Sequence, residues 1–319
     1  MDPNRKDRFR PSYLDLYEKD ALNERGAEAQ RRLECCRLCA RECRVNRQAG
    51  EKGFCRTGLK AMVSSYNPHF GEEDPLVGRG GSGTIFFTHC NLLCLFCQNY
   101  EISHLGEGRE ADPAQLARMM LHLQDLGCPN INFVSPSHVV AQILTALPLA
   151  VEGGLKIPLV YNTGGYDSLE TLRLLEGVFD IYMPDLKFME GEVSHRYCRA
   201  GDYPEKVRTA IREMHRQAGD LVLDHRAVAQ RGLLVRHLVL PEGLAGTREA
   251  MRFLTREVSS DTYVNIMAQY RPCGEAAEYP PLNRRINAKE YEEALNIARE
   301  EGIDRLDQRR GARMIRFIL

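Results

Sequence analysis

Short apolar segments alternate with longer amphipathic ones from residue 83 onward. The short runs are rich in β-branched and aromatic residues and predict buried strands, while the segments between them have helical periodicity. Six βα units predict a parallel sheet with right-handed crossovers. Because six units are fewer than the eight of a closed barrel, we expect an α/β fold with a partial (βα)6 barrel, open on one side. The expected strands are Thr84–Thr88, Ile131–Ser135, Leu159–Asn162, Phe179–Met183, Leu233–Leu240 and Tyr263–Met267.

Polar residues mark the starts of several helices. Asp112 before Pro113 is an N-cap followed by proline at the first helical position. Asp167 with Glu170 has the spacing of a capping box, and Asn287 begins another helix-start pattern. A short final strand is expected at Met314–Ile318. The expected helices are 113–126, Ser137–Leu147, Leu169–Leu175, Pro204–Ala218, Thr247–Val258 and 287–301.

The chain ahead of the repeat has a different character. Ser12–Leu33 is loosely amphipathic and predicts a helix, and Gly58–Ser82 is rich in glycine and predicts an irregular segment. Its acidic residues, including Glu72 and Glu73, suit a solvated loop, although a loop just ahead of the first barrel strand could line a pocket. The expected division is an N-terminal helix and cysteine-rich metal module (1–60), a linker (61–82), a barrel (83–275) and a helical C-terminal extension (276–319).

Charge and hydropathy narrow the class of function. Lys and Arg number 43 against 44 Asp and Glu, so there is no global attraction to nucleic acid. The longest apolar stretch, Val139–Val151, is too short and interrupted to span a bilayer, and the N-terminus lacks the apolar core of a signal peptide. We therefore expect a cytoplasmic protein. Its eleven cysteines are then expected to hold metal rather than form disulfides.

Three cysteines follow the first predicted strand directly. Cys90, Cys94 and Cys97 are separated by three and then two residues, and thiolates select zinc, copper(I) or iron–sulfur clusters. A structural zinc site needs four ligands, and only His89 lies nearby. A cubane held by three cysteines leaves one iron free to bind a small molecule. A zinc knuckle or three buried thiols are the alternatives.

A second cysteine group lies in the N-terminal segment. Cys36, Cys39, Cys43 and Cys55 fall within about twenty residues, which suits a closed tetrahedral site for zinc or a second iron–sulfur cluster. A segment this small and polar would need a metal for its folding energy. Cys35 is read as the spare cysteine, able to exchange roles with Cys36.

The spacing of Cys90, Cys94 and Cys97 resembles that of the radical S-adenosylmethionine (SAM) superfamily. With Gln98 and Asn99, it is most similar to the activases of glycyl-radical enzymes, the pyruvate formate-lyase-activating type. The resemblance implies a 4Fe-4S cluster whose open iron binds SAM, and reductive cleavage to a 5′-deoxyadenosyl radical that abstracts hydrogen. It also implies a low-potential donor such as a ferredoxin or flavodoxin. The cysteine-rich leader is similar to that of uncharacterised activase-like relatives.

Asp185 and Lys187 resemble the Asp-x-Lys motif of the activases. There the aspartate helps to bind a monovalent cation, and the lysine meets the SAM carboxylate. The family completes the cation site with an Asp-Thr pair and a backbone carbonyl. The matching positions here are Asn162, Thr163 and Met183, so one negative charge is missing.

Other cofactor contacts are expected at strand ends. The family's Gly-Gly-Glu-Pro is replaced by a segment with Ser135 and Ser137, whose hydroxyls could bond the SAM amine; Ser137 could instead N-cap its helix. Thr163 and an inward Arg236 are expected to help hold the cofactor, with Arg236 alternatively on a substrate carboxylate. Phe96 is expected to contact adenine through its backbone.

Three hypotheses for function remain open. The substrate is a backbone glycine of a partner enzyme, as in the activases, or it is a small molecule or another peptide. A third reading is a non-catalytic zinc protein acting as a binding module. The cysteines Cys128, Cys198 and Cys273 have no partners at ligand spacing and are read as ordinary thiols.

Overall fold

The computed structural model describes residues 9–307. In that part of the chain one mixed sheet runs through the centre, and six of its strands are parallel and follow one another across the sheet in chain order. These six are Ser82–Phe87, Ile131–Val134, Leu159–Thr163, Ile181–Pro184, Ala229–Leu238 and Tyr263–Met267. This confirms a mixed α/β fold with a parallel-rich sheet; closure into a barrel stays a prediction. The strands are β1 Ala61–His69, β2 Ser82–Phe87, β3 Arg109–Ala111, β4 Ile131–Val134, β5 Leu159–Thr163, β6 Ile181–Pro184, β7 Val222–Leu223, β8 Ala229–Leu238 and β9 Tyr263–Met267.

Helices connect successive parallel strands. The strands β5 and β6 are buried at every position, as expected where helices cover a parallel sheet. The first predicted helix-start signal is confirmed, because Asp112 forms a complete capping box with Gln115. The helices are α1 Tyr13–Glu18, α2 Ala21–Arg31, α3 Asp74–Val77, α4 Tyr100–Ser103, α5 Pro113–Asp125, α6 Val140–Glu152, α7 Leu169–Leu174, α8 Gly191–Cys198, α9 Tyr203–Ala218, α10 Thr247–Phe253 and α11 Ala288–Glu300.

The irregular conformation predicted for residues 61–82 is wrong for much of that segment. Ala61–His69 forms β1, which runs antiparallel to both β2 and β3. Ala61 and Val63 are buried while Met62 is only partly so, and this period of two is typical of a strand with one face on the core. Pro68 falls near the strand end, where a missing N–H is tolerated.

Two other local predictions need correction. The single helix expected over Ser12–Leu33 is two helices, because Asp20 adopts a left-handed conformation with φ of 58° between them. The capping role expected for Asp167 is also wrong: Ser168 is the N-cap residue of α7 and makes no side-chain cap. The predicted strand at Met314–Ile318 lies outside the described residues.

The N-terminal helices share the core of the sheet. Tyr13, Leu22 and Leu33 are fully buried, and they belong to the same hydrophobic cluster as residues of the parallel strands. The close approach of α2 to α6 places Gly26 where a Cβ atom would lie 3.3 Å from the carbonyl of Leu144. Within residues 9–307, no helix combines the length and apolar character needed to cross a bilayer.

The parallel strands place their carboxyl ends at one edge of the sheet. Loops that follow these ends are therefore brought together from distant parts of the sequence. The loop containing Cys90 follows β2, and Ser135, Gly164 and Asp185 each follow the end of a neighbouring strand.

Candidate active site

Cys90, Cys94 and Cys97 line one cavity of about 220 Å³ at this edge of the sheet. Their loop is strained, because His89 and Leu93 adopt positive φ angles of 66° and 51°, and such non-glycine conformations concentrate at functional sites. The same cavity is lined by the other predicted cofactor residues, which are Phe96, Ser135, Asn162, Thr163, Asp185, Lys187 and Arg236. Two larger cavities, of about 670 and 710 Å³, contain no cysteine, so size alone does not identify the site.

The surroundings of the three sulfur atoms suit thiolate ligands. The backbone N–H of Leu92 lies 3.3 Å from Cys90 Sγ and donates to it. The hydroxyl of Ser103 donates to Cys97 Sγ at 3.2 Å. Burial raises the pKa of the Cys90 thiol to about 11, and a metal ion bound to the sulfur would favour its thiolate form. Hydrogen bonds to sulfur are a common feature of iron–sulfur sites.

Cys198 also reaches this site, although nothing in the sequence spacing indicated it. The Cys198 thiol at the end of α8 lies 3.1 Å from Cys94 Sγ. This hydrogen bond is the main reason that the pKa of Cys94 is raised, followed by burial. The interpretation of Cys198 as an ordinary thiol therefore needs revision, since its side chain touches a predicted cluster ligand.

A largely buried network of charges lies beside the cysteines, in which the side chains of Asp185, Lys187 and Arg236 are 14–17% exposed. Lys187 Nζ donates to Asp185 Oδ2 at 2.6 Å, and Arg236 Nε donates to Asp185 Oδ1 at 2.7 Å. Burial by itself would raise the pKa of Asp185, but Arg236 and Lys187 outweigh it and hold that pKa below its usual range. Asp185 is therefore ionised and both of its oxygens are already paired.

Arg236 also bonds the residue predicted to complete a cation site. Its Nη2 atom donates to Asn162 Oδ1 at 2.7 Å. The guanidinium thus contacts both side chains, Asp185 and Asn162, that were expected to be cation ligands. The donor set does not fit a monovalent cation, because a fixed positive charge already bonds these oxygens.

Two acidic residues of the N-terminal linker reach the same network. Glu72 and Glu73 are both buried, and their carboxylates lie 3.8 and 3.9 Å from Arg236 Nη1. Glu73 also accepts a hydrogen bond from Asn265 on β9 at 2.9 Å. Their interpretation as solvated loop residues is wrong, because both acids are buried and face the largely buried Arg236.

The hydroxyls at the ends of β4 and β5 form a second network. The Ser137 and Thr163 hydroxyls lie 3.0 Å apart, and Thr163 donates to the buried Asp167 at 2.7 Å. Ser137 makes no cap for α6, so the capping alternative is wrong. Ser135 has a left-handed conformation, with φ of 59°, and lines the cavity.

A glycine turn after β5 supports the charged pair. Gly165 has φ of +80°, and a Cβ atom there would lie 2.6 Å from the carbonyl oxygen of Asp185. The hydroxyl of Tyr203 ties the turn to the next strand end, because its single O–H is shared between Gly164 O at 3.0 Å and Asp185 O at 2.8 Å. It also accepts from the backbone N–H of Lys187. Tyr203 is therefore a positioning residue for the pair.

The Phe96 ring is part of the core rather than free in the cavity. It packs edge to face against Phe188 and Tyr270 and is 5% exposed. The ring is therefore held by the core, and the backbone contact to adenine stays a prediction. Next to it, Gln98 Nε2 donates to the carbonyl of Gln269 at 3.1 Å, which ties the cysteine loop to the segment after β9.

Comparison with known proteins establishes the class. Residues 84–225 match the radical SAM superfamily, and the chain belongs to that superfamily. It is also 32% identical over 314 residues to the uncharacterized protein MJ0674 of Methanocaldococcus jannaschii, an alignment that covers 95% of this chain and 83% of that protein.

The superfamily implies a 4Fe-4S cluster and SAM, and the residues present fit them. Three soft sulfur donors line a cavity that is also lined by hydroxyl, amide and ammonium groups. Across residues 9–307, no group of three or more His, Cys, Asp or Glu side chains is arranged to hold a metal ion. A cubane does not require that arrangement, because each cysteine binds a different iron.

Proposed function

We propose that this chain is an activase-like radical SAM enzyme whose cluster is held by Cys90, Cys94 and Cys97. When bound, the cluster and SAM supply reductive cleavage of the sulfonium and a 5′-deoxyadenosyl radical. The observation that supports this most directly is the shared cavity: the three thiols and the Asp185–Lys187 pair come from different strand ends and line the same space.

The chain's own residues have distinct roles in this proposal. Lys187 is largely buried and positive, since Asp185 raises its pKa against the effect of burial, and it is suited to bind a carboxylate. Ser135 presents a hydroxyl from a left-handed turn that is suited to accept from an amine. Phe96 and Thr163 hold the walls of the cavity, and the buried position of the site excludes water from a reactive radical.

Arg236 has a different role from the one the sequence suggested. Its guanidinium is committed to Asp185 and Asn162, so we assign it to the position of the activases' monovalent cation rather than to a ligand carboxylate. The activases have an aspartate where this chain has Asn162, so this site has one negative charge fewer. A guanidinium suits that difference, because it can bond the Asp185 carboxylate and the neutral amide oxygen of Asn162 at the same time.

The partners remain part of the proposal. The reductive step requires a low-potential donor, for which a ferredoxin or flavodoxin is suited. The substrate is a hydrogen donor, and the resemblance to activases favours a backbone glycine of a partner protein. A peptide or small molecule is the alternative, and a glycyl-radical signal in electron paramagnetic resonance of a candidate partner would separate the two.

Anaerobic reconstitution tests the proposed chemistry. The full chain is loaded with iron and sulfide, reduced with dithionite, and mixed with SAM. We expect slow release of 5′-deoxyadenosine, measured by liquid chromatography, and loss of this product in Cys97→Ala. Cys128→Ala is the matched control, because Cys128 is buried but outside the cavity and should leave the product unchanged.

Two results would contradict the proposal. Cys97→Ala protein that released the nucleoside at the wild-type rate would remove the cluster assignment. A chain that took up only zinc and remained colourless after reconstitution would instead favour the non-catalytic binding module.

A further inference from the structure

A second cavity lies beside the active-site loop and is lined by four cysteines. Cys36, Cys39 and Cys55 are buried and Cys43 is partly so, whereas the neighbouring Cys35 is exposed. All four line one small cavity of about 10 Å³, and Cys35 is absent from its wall. We propose that these four thiolates hold a second metal centre, zinc or an iron–sulfur cluster, with Arg47 as its counter-cation.

The charge of the cavity wall carries the argument. Arg47 is only 1% exposed and lines the cavity. Its guanidinium donates to the carbonyls of Gly58 and His138 at 2.6–3.0 Å, and among residues 9–307 no carboxylate lies within ion-pair distance of it. Its remaining contact is Cys36 Sγ, 3.9 Å from Nη1.

A buried cation without a counter-charge is strongly unfavourable. The cavity wall contains no Asp or Glu, so the negative charge that would balance Arg47 has to come from the cysteines. Four thiolates around zinc(II), or around a 4Fe-4S core, carry net negative charge. Four neutral thiols carry none and would leave Arg47 unbalanced.

Hydrogen bonding to sulfur gives a second, independent indication. The backbone N–H of Phe54 donates to Cys43 Sγ at 3.4 Å, the same kind of contact that Leu92 makes with Cys90. The chain approaches this closely because residue 53 is glycine: a Cβ atom there would lie 2.8 Å from Cys43 Sγ. Such outer contacts orient thiolate ligands and compensate their charge.

The architecture of the segment also requires a stabilising centre. Residues 34–60 contain neither a helix nor a strand, yet three of the four cysteines are buried. The four thiols line the cavity but are not arranged around one point that a single metal ion could occupy, and the same is true of the three active-site thiols. A multinuclear cluster does not need that arrangement, because each cysteine binds a different iron.

The test uses the full chain with Cys90, Cys94 and Cys97 all replaced by alanine, so that the active-site cluster is removed. After anaerobic purification and reconstitution with iron, sulfide and zinc, we expect about one zinc or about four irons with sulfide per chain. Adding Cys55→Ala should reduce the metal at least tenfold. Adding Cys35→Ala is the matched control and should leave the metal content unchanged.

Metal and sulfide analysis identifies which centre is present, and X-ray absorption of the triple variant reports its ligands. Four sulfur ligands to zinc, or an iron–sulfur spectrum, would support the proposal without further variants. A triple variant that is folded by circular dichroism but binds neither metal would overturn it. So would nitrogen or oxygen ligands in the absorption spectrum, or full metal content after Cys55→Ala. None of these outcomes depends on the active-site chemistry.

Discussion

Replacing Arg236 with methionine tests whether its guanidinium stands in the place of a monovalent cation. The change removes the charge and both hydrogen bonds, to Asp185 at 2.7 Å and to Asn162 at 2.7 Å, while keeping an apolar side chain of similar reach. Asp185 retains Lys187, but one of its oxygens and the Asn162 oxygen lose their donor, and Glu72 and Glu73 lose the cation that lies 3.8 and 3.9 Å from their carboxylates. The two oxygens freed by the change are those that a small cation would need.

The magnitude follows from the burial of the pair. Removing one partner of a buried ion pair costs roughly 3–5 kcal/mol of stability. A cation that enters with a Kd of ~1 mM would, at ~100 mM, restore about 2.7 kcal/mol. The free energy of unfolding of Arg236→Met should therefore fall in choline chloride and recover by about half or more in potassium or sodium chloride.

Urea unfolding under anaerobic conditions at equal ionic strength measures this directly, with choline, sodium and potassium chloride compared. The wild type should give the same free energy of unfolding in all three salts, because its site already contains the guanidinium. The rate of 5′-deoxyadenosine release should show the same salt dependence in the variant. Arg216→Met is the control: this exposed arginine pairs with Glu213 and Glu176, so its effect should not depend on the cation.

The reasoning would be refuted by a wild type that gains as much stability from potassium over choline as the variant does. That result would mean that a cation binds beside Arg236 rather than being replaced by it. A variant as stable as the wild type in choline chloride would refute the energetic argument for the buried pair.

Three other changes have defined outcomes. Gly165→Ala should lower the free energy of unfolding by about 1–3 kcal/mol or more and should also lower nucleoside release, since φ is +80° and the new Cβ atom would lie 2.6 Å from the carbonyl oxygen of Asp185. Gly177→Ala is the control: φ there is +76° and no contact is shorter than 3.5 Å, so the change should affect stability alone. Burial raises the pKa of Asp180 from 3.8 to about 6, so the contribution of this carboxyl to stability is complete below about pH 4 and is lost as the pH rises through 6. Urea unfolding should therefore show that the stability of Asp180→Asn relative to wild type rises by up to about 3 kcal/mol between pH 4 and 7. A difference that does not change with pH would contradict this. Mild oxidation of cluster-free protein should join Cys94 to Cys198, detected by peptide mass spectrometry and prevented by Cys198→Ser; reconstituted protein treated identically should show no such link.

Local sequence signals predicted most of the parallel strands and two of the helix starts. Strands of buried apolar residues differ from the prediction by only a few residues at their ends, and Tyr263–Met267 is confirmed without change. The capping boxes at Asp112 and Asn287 depend on contacts three residues apart, so the sequence contains all the information they need. The cysteine loop was predictable for the same reason, since its residues are adjacent in the chain.

The errors arose where distant contacts compete with a local signal. Asp167 has capping-box spacing, but the fold brings the hydroxyls of Tyr161 and Thr163 to its carboxylate at 2.9 and 2.7 Å. Those bonds satisfy a buried acid better than a helix end does. Glu72 likewise follows a strand whose pairing with β2 sets its burial, and nothing within a few residues reveals that pairing.

The two cysteine groups are structurally linked, which bears on how the second centre would act. Arg41, on the four-cysteine segment, donates to the carbonyls of Asn91 and Cys198 at 2.8 Å each. The first of these lies in the active-site loop, and the second belongs to the residue whose thiol touches Cys94. Cys39 itself forms a single antiparallel bridge with Asp167. Through these contacts, order imposed on the segment by a metal would reach the loop that carries Cys90, Cys94 and Cys97.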